Sequence, residues 1–229
     1  MRPTWMLDET AHAGPEHLDP GFVAGFDRKQ GYPDPASDIE VLASYGVRSV
    51  VDLGAGTGQF AVPAAAAFDR VVAVDVSPAM LAYLGERARA AGVTVEPVQA
   101  GFLSYAHEGE PVDAVYTRHA LHQLPDFWKV VALHRVAGVL RPGGVLRLRD
   151  LVYDFPSATT EQVMDGWVAG GVDDPSAGYT GADYAEHVRT EHSTFRWLLE
   201  PMLDHAGFDL ADVEYDDAGL FGAYTCLKR

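Results

Sequence analysis

Val51-Asp52-Leu53-Gly54-Ala55-Gly56-Thr57-Gly58 is the stretch from which the fold of this 229-residue chain is read. It leaves an apolar run, Val47–Leu53, that reads as a buried strand, and it enters a helix expected over Gly58–Phe68, with Pro63 as a possible kink. Three glycines in five residues suit a backbone that turns sharply and must come close to a ligand. Amides exposed at the start of the following helix suit a polar or anionic group. The next apolar run, Val71–Val76, contains Asp75, 21 residues after Gly54. A carboxylate at that strand end accepts hydrogen bonds from both hydroxyls of a ribose. The alternative is an ordinary solvated acid at a strand end.

Outward from this unit the pattern alternates. A helix is expected over Ala36–Tyr45, with Pro35 at its start and Gly46 after its end. Ser77-Pro78 opens another helix, which runs to Ala91 before Gly92. Val93–Val98 and Val112–Thr117 read as strands, Asp126–Val139 as a helix, and Val145–Leu151 as a fifth strand beyond the Arg141–Gly144 turn. Strands separated by helices of this length imply βαβ units and a parallel sheet covered on both faces. A helix over Thr194–Ala206 and a closing hairpin, Phe208–Tyr215 with Leu220–Leu227, complete one doubly wound α/β domain. Residues 1–35 read as an N-terminal lid, 36–152 as the cofactor-binding core, 153–193 as a substrate-cap insertion, and 194–229 as the final helix and hairpin.

Bulk properties narrow the partners. Seventeen basic and 33 acidic residues leave a net charge of −16, which repels phosphate backbones and argues against a nucleic-acid substrate. No apolar run is long enough to cross a bilayer, and the first residues lack a secretory apolar core, so a cytoplasmic location is expected. The lone cysteine, Cys226, has no partner for a disulfide and reads as a small residue in a late strand.

Two features separate a sulfonium nucleoside from a nicotinamide dinucleotide. Gln59 stands where the dinucleotide fingerprint has its third glycine, and Asp52 sits where a ligand ammonium or an ordered water network is received, a charge from which a pyrophosphate would gain nothing. Four segments then resemble one family. Val51–Gly58 is similar to the cofactor loop of class I S-adenosylmethionine-dependent methyltransferases. Asp75-Val76-Ser77-Pro78-Ala79-Met80 resembles their acidic motif. Asp113–Tyr116, continuing through Leu121–Pro125, resembles their fourth-strand motif, and Leu140–Leu146 their turn into the fifth strand.

The resemblance implies a Rossmann-like, mostly parallel seven-stranded sheet with an antiparallel last strand. It implies S-adenosylmethionine as methyl donor and S-adenosylhomocysteine as product. Gly54, Ala55 and Gly56 would line the methionine portion with Asp52 nearby, Asp75 would hold the ribose, and Val76 and Met80 would flank the adenine. Gly101 and Phe102 fall where the family often has an acid on the adenine amine. A backbone amide or a more distant residue then has to replace that contact.

The transferred methyl is expected near the C-terminal ends of the first and fourth strands, beside Arg118, His119 and His122. Three roles are open to the histidines: cofactor or structural contacts, a general base or substrate contact, or metal ligands. No third ligand is evident, so no metal is expected. His119 is assigned to the cofactor wall and His122 to substrate or structure. Arg118 pairs either with an anionic group or with a surface acid. Tyr32, in Gly31-Tyr32-Pro33, is the candidate lid residue over the cofactor, and Tyr153, Trp167, Tyr179, Tyr184, His192 and Trp197 are candidates for the substrate pocket. The expected activity is methyl transfer to a small-molecule acceptor. The alternatives are an NAD(P)-dependent oxidoreductase and a non-catalytic cofactor-binding module. Acceptor and oligomeric state are not legible.

Overall fold

The computed structural model describes residues 3–30 and 33–229. Its sheet is built from β1 (Ser49–Leu53), β2 (Arg70–Asp75), β3 (Glu96–Gln99), β4 (Val112–Arg118), β5 (Leu140–Tyr153), β6 (Thr194–Phe195), β7 (Phe208–Tyr215) and β8 (Phe221–Lys228). Seven strands lie in the order β3-β2-β1-β4-β5-β8-β7, and the short β6 pairs with β5 off that path. β1 is parallel to β2 and β4, and β4 to β5, whereas β8 runs antiparallel between β5 and β7. The direction of strand order reverses between β1 and β4, and open α/β sheets bind ligands at the carboxyl ends of such strands.

Nine α-helices flank the sheet among the described residues: α1 (Glu9–His12), α2 (Pro20–Lys29), α3 (Ala36–Ser44), α4 (Ala61–Ala64), α5 (Pro78–Ala91), α6 (Asp126–Val139), α7 (Thr160–Ala169), α8 (Gly181–Thr190) and α9 (Arg196–His205). Alternate residues of β1 feed opposite faces. Val51 and Leu53 pack with Leu133 of α6 and Leu203 of α9, while Val50 packs with Leu42, Ala61 and Leu84 of α3, α4 and α5. Both faces are therefore dry, as a parallel sheet requires. α5 shows both end signals at work: the Ser77 hydroxyl accepts the Met80 N–H at 3.1 Å, and Gly92 closes the helix at φ +68°.

Several boundaries differ from expectation: the fifth strand, expected over Val145–Leu151, runs from Leu140 to Tyr153, with Leu140 already paired to Val112. The helix after the glycine loop shrinks to α4. Gly58 sits at φ +81°, outside the helical region, Pro63 has no N–H to give, and the turns after Ala64 tighten into three-residue steps such as Ala67 N–H to Ala64 O. The helix expected from Thr194 starts at Arg196, because Thr194 and Phe195 pair with Val152 and Tyr153. β3 is shorter than the run Val93–Val98 and starts at Glu96. Cys226 lies fully buried in β8, where burial pushes its thiol up to about 12. Among the described residues no helix is long and apolar enough to cross a membrane.

Candidate active site

A cavity of about 630 Å³ opens at the ends of β1, β2 and β4, a size typical of small-molecule sites. Its floor is the glycine loop. A Cβ on Gly54 (φ +76°) would lie 2.4 Å from the Ala120 Cβ, so only glycine lets the loop after β1 pass the loop after β4. The Gly54 and Ala55 amides donate to the Val74 carbonyl at 2.9 and 3.0 Å, which ties the loop to β2. The Gly56 amide donates at 2.8 Å to one oxygen of Asp75, and the Ser77 amide donates at 2.8 Å to the other. Each Asp75 oxygen keeps a lone pair for a further donor. Burial raises the Asp75 carboxyl, against those two amides and nearby His17.

Asp52 is 2% exposed, and its Oδ2 has no hydrogen-bond partner among the described residues. Burial first, and then the charge of Asp75, push its carboxyl well above the usual range. An acid left incomplete at a cavity wall marks a place for a donor from a ligand.

The N-terminal helices supply another wall of the cavity. Asp27 of α2 accepts from Thr57 Oγ1, from Gln59 Nε2 at 3.0 Å and from Arg87 of α5, so it fastens α2 onto the glycine loop. Glu9 of α1 is 6% exposed. Its Oε1 accepts the Leu103 amide at 2.8 Å, and its Oε2 is buried without a partner among the described residues. A Cβ on Gly101 would lie 2.4 Å from that carboxylate, so Gly101 is small because Glu9 occupies the space beside it. Val76, Met80 and Phe102 line the same end of the cavity.

The far wall starts at β4. Arg118 lines the cavity with no ion-pair partner among the described residues. His119 is the one described non-glycine residue at positive φ, +49°, and its amide donates to the Arg149 carbonyl at 2.9 Å. Burial, offset in part by Asp150, lowers its imidazole to about 3, so it is neutral. His122 lies in a 3-10 turn, Leu121–Gln123. Its Nδ1 pairs with Asp150 and its Nε2 lies 2.7 Å from Glu191 Oε2. Burial would lower this imidazole, but the two carboxylates outweigh it and hold it at about 9. His122 holds its proton against two carboxylates, and His119, though neutral, is too weak a base to hold a proton near neutral pH.

The cap closes over this wall. Trp167 of α7 stacks on Tyr184 of α8 at 4.6 Å between ring centres, and it meets His187 edge-on at 5.5 Å. Phe221 of β8 lies 5.6 Å from His119. The cap and the N-terminal helices join across the mouth: Lys29 Nζ lies 2.9 Å from Asp183 and 4.8 Å from the Tyr179 ring centre, and Gln30 donates to the Tyr179 hydroxyl.

Of the residues expected at the site, the cavity gathers Asp52, Gly54, Ala55, Gly56, Asp75, Val76, Met80, Gly101, Phe102, Arg118, His119 and His122, with Trp167, Tyr179 and Tyr184. It does not gather Tyr153, His192 or Trp197. Tyr153 packs on Phe155 and Phe195, Trp197 stacks outside on Phe195 and is 60% exposed, and His192 contributes its backbone, whose N–H donates to the His122 carbonyl at 2.9 Å. Tyr32 lies outside the described residues. Glu9, Asp27, Glu191 and Phe221 were missed, because nothing local in the chain ties them to the glycine loop, whereas His187 stood among the ring-bearing residues of the later irregular segment.

This fold and crevice define a class: a doubly wound α/β enzyme domain that takes a nucleoside cofactor at its switch point. A family profile described as a methyltransferase domain matches residues 50–144. An "Uncharacterized methyltransferase" of Anoxybacillus flavithermus is 26% identical over 164 residues, covering 66% of this chain and 76% of the relative. A second, from Geobacillus kaustophilus, is 23% identical over 206 residues, covering 85% and 90%. In fold, the chain is similar to magnesium protoporphyrin IX methyltransferase from Synechocystis PCC 6803, crystallised with S-adenosylmethionine, at a TM-score of 0.67 and 14% identity over 99% of this chain and 100% of that one. Residues 50–144 are thus matched as a methyltransferase domain, and the activity is S-adenosylmethionine-dependent methyl transfer rather than hydride transfer.

Proposed function

We propose that the chain methylates a small, partly apolar acceptor that enters between the aromatic cap and His119, with the nucleoside cofactor laid along the glycine loop. One observation carries this reading. Three carboxylates, Glu9, Asp75 and Asp52, line the cavity, and two of them hold a buried oxygen with no partner among the described residues. They suit the three donor groups of S-adenosylmethionine: the adenine amine, the ribose hydroxyls and the ammonium. Arg118, which has no ion-pair partner among the described residues, suits its carboxylate. When bound, the cofactor supplies an electrophilic methyl on a sulfonium that is already a good leaving group.

The chain's own work is then alignment. The glycine loop and Asp75 fix the ribose, Asp52 and Arg118 fix the amino-acid end, and Trp167, Tyr184 and Phe221 orient the acceptor and exclude water. Alignment of two reactants is worth roughly 7–11 kcal/mol. The N-terminal segment and the 153–193 insertion act as two lids joined by Lys29–Asp183 and Gln30–Tyr179. The test is release of S-adenosylhomocysteine by the purified chain with a panel of small aromatic and aliphatic hydroxyl, amine and thiol acceptors. Acceptor-dependent release supports the reading, and none across the panel contradicts it.

Glu9→Gln keeps the shape of the side chain but removes its charge. Loss of a charge-assisted bond costs about 1.5–3 kcal/mol, so S-adenosylhomocysteine should bind roughly ten- to a hundredfold more weakly. The inosine analogue, which offers an acceptor in place of the amine, should lose little or gain. Equal effects on both ligands in calorimetry would contradict the adenine assignment.

Cofactor affinity should also depend on pH through Asp52. Its raised carboxyl must ionise to receive an ammonium, so bound ligand lowers its pKa. Affinity is complete above the raised value and declines as the pH falls through it. Asp52→Asn should give weaker binding with a flatter pH profile, measured by calorimetry across a pH series.

A further inference from the structure

We propose that His122, His187 and Glu191 form a binding site for one divalent transition-metal ion of the zinc class, at the acceptor end of the cavity. The sequence alone offered His119 and His122 and no third ligand. The fold discards His119 and brings two others from the cap. His187 lies on α8, and Glu191 is the residue that ends that helix. One donor atom from each of the three residues lies within 4.8 Å of the others, and all three residues line the cavity.

The outer contacts of both rings favour a metal. A ligating histidine nearly always gives its other ring nitrogen to a carboxylate, hydroxyl or carbonyl, which fixes the ring. His122 gives Nδ1 to Asp150, whose second oxygen accepts the His122 amide at 3.0 Å. His187 places Nε2 2.8 Å from the Ser193 hydroxyl. That leaves His122 Nε2 and His187 Nδ1, each 2.7 Å from the same oxygen, Glu191 Oε2. Gln123 Nε2 also donates to that oxygen at 3.0 Å and steadies it.

Spacing and charge agree. Tetrahedral ligands at about 2.0–2.2 Å from zinc stand roughly 3.4 Å apart, so the donors need to open by about 0.7 Å. Glu191 is the most exposed of the three, at 26%, and has the freedom to move. An ion bound here would displace the proton that His122 holds in the empty site; two neutral imidazoles with Glu191 and Asp150 then carry a charge of −2, which a divalent ion balances. Two histidines and one carboxylate leave the fourth position open, as catalytic rather than structural zinc sites do. Here that position would take an oxygen, nitrogen or sulfur of a small molecule already inside the cavity. The site is built only from residues on the acceptor wall, and it stands or falls independently of the cofactor assignment.

The test uses the full chain, stripped with chelator and dialysed, then titrated with Co(II). The expected result is visible absorption of a four-coordinate ion saturating at one per chain and displaced by zinc. His187→Asn and Glu191→Gln should each weaken binding by roughly a hundredfold, and Asp150→Asn by about ten- to a hundredfold. His205→Asn, exposed at the end of α9, should change nothing. X-ray absorption of the zinc-loaded wild-type chain, which needs no variant to fold, should show two imidazoles and oxygen around the ion. Absence of one-to-one binding, binding that survives both His187→Asn and Glu191→Gln, or a shell without imidazole would overturn the proposal.

Discussion

Asp75→Ala is expected to weaken S-adenosylhomocysteine binding by at least about a hundredfold while leaving the melting temperature nearly unchanged. The carboxylate closes β2 at the cavity edge and is already oriented by the Gly56 and Ser77 amides at 2.8 Å. A pre-set acceptor receives ribose hydroxyls without a further ordering cost. Each bond to a charged acceptor contributes about 1.5–3 kcal/mol, so losing two removes roughly 3–6 kcal/mol, and every 1.4 kcal/mol is tenfold in affinity. Ser77 is fully buried, but truncating Asp75 opens its amide to the cavity that Asp75 and Gly56 line, and water entering there limits the cost to folding. Unchanged affinity in calorimetry would count against the ribose assignment.

Asp38→Ala should act on stability instead, and strongly. Asp38 is fully buried on α3 and accepts from Arg147 Nε at 2.8 Å, Arg149 Nη1 at 3.0 Å and the Tyr116 hydroxyl at 3.1 Å. Arg147, on β5, is 3% exposed and has no other close carboxylate, since Glu214 lies 3.9 Å away at the surface. Removing one partner of a buried pair strands the other and costs about 3–5 kcal/mol. For a chain of this length that lowers Tm by roughly 6–20 °C. Arg147→Met added to Asp38→Leu should recover part of the loss, because the stranded cation is gone. A thermal melt of Asp38→Ala within a degree or two of wild type would show that this network does not carry the attachment of α3 to the sheet.

Local chemistry explains how much was legible in the sequence. β1, β2 and β4 are apolar runs between turn residues, and α5 carries its own caps at Ser77 and Gly92, so their readings need no tertiary knowledge. The glycine loop was legible for the same reason: left-handed φ at Gly54, Gly56 and Gly58 excludes nearly every other residue. α4 was overextended because the apolar run Ala61–Phe68 carries no sign that its later turns tighten. The substrate wall was read least well. Aromatic residues in irregular segments look alike whether they face a cavity, as Trp167 and Tyr184 do, or pack elsewhere, as Tyr153 and Trp197 do.

Long-range pairs were not legible at all. The Glu9 carboxylate reaches Leu103, 94 residues away, and Glu191 reaches His122 from the far side of the cap. The missing acid near Gly101 was nevertheless a legible gap. Its physical sense emerged only when a carboxylate from α1 was found against that glycine, where any side chain at 101 would collide with it.

The crevice assignment is tested most directly by a crystal structure of the chain with S-adenosylhomocysteine. The account predicts ribose hydroxyls on Asp75, the amino group at Asp52, and the adenine amine at the free oxygen of Glu9. A ligand bound elsewhere, or one reversed so that its adenine meets Asp52, would contradict it.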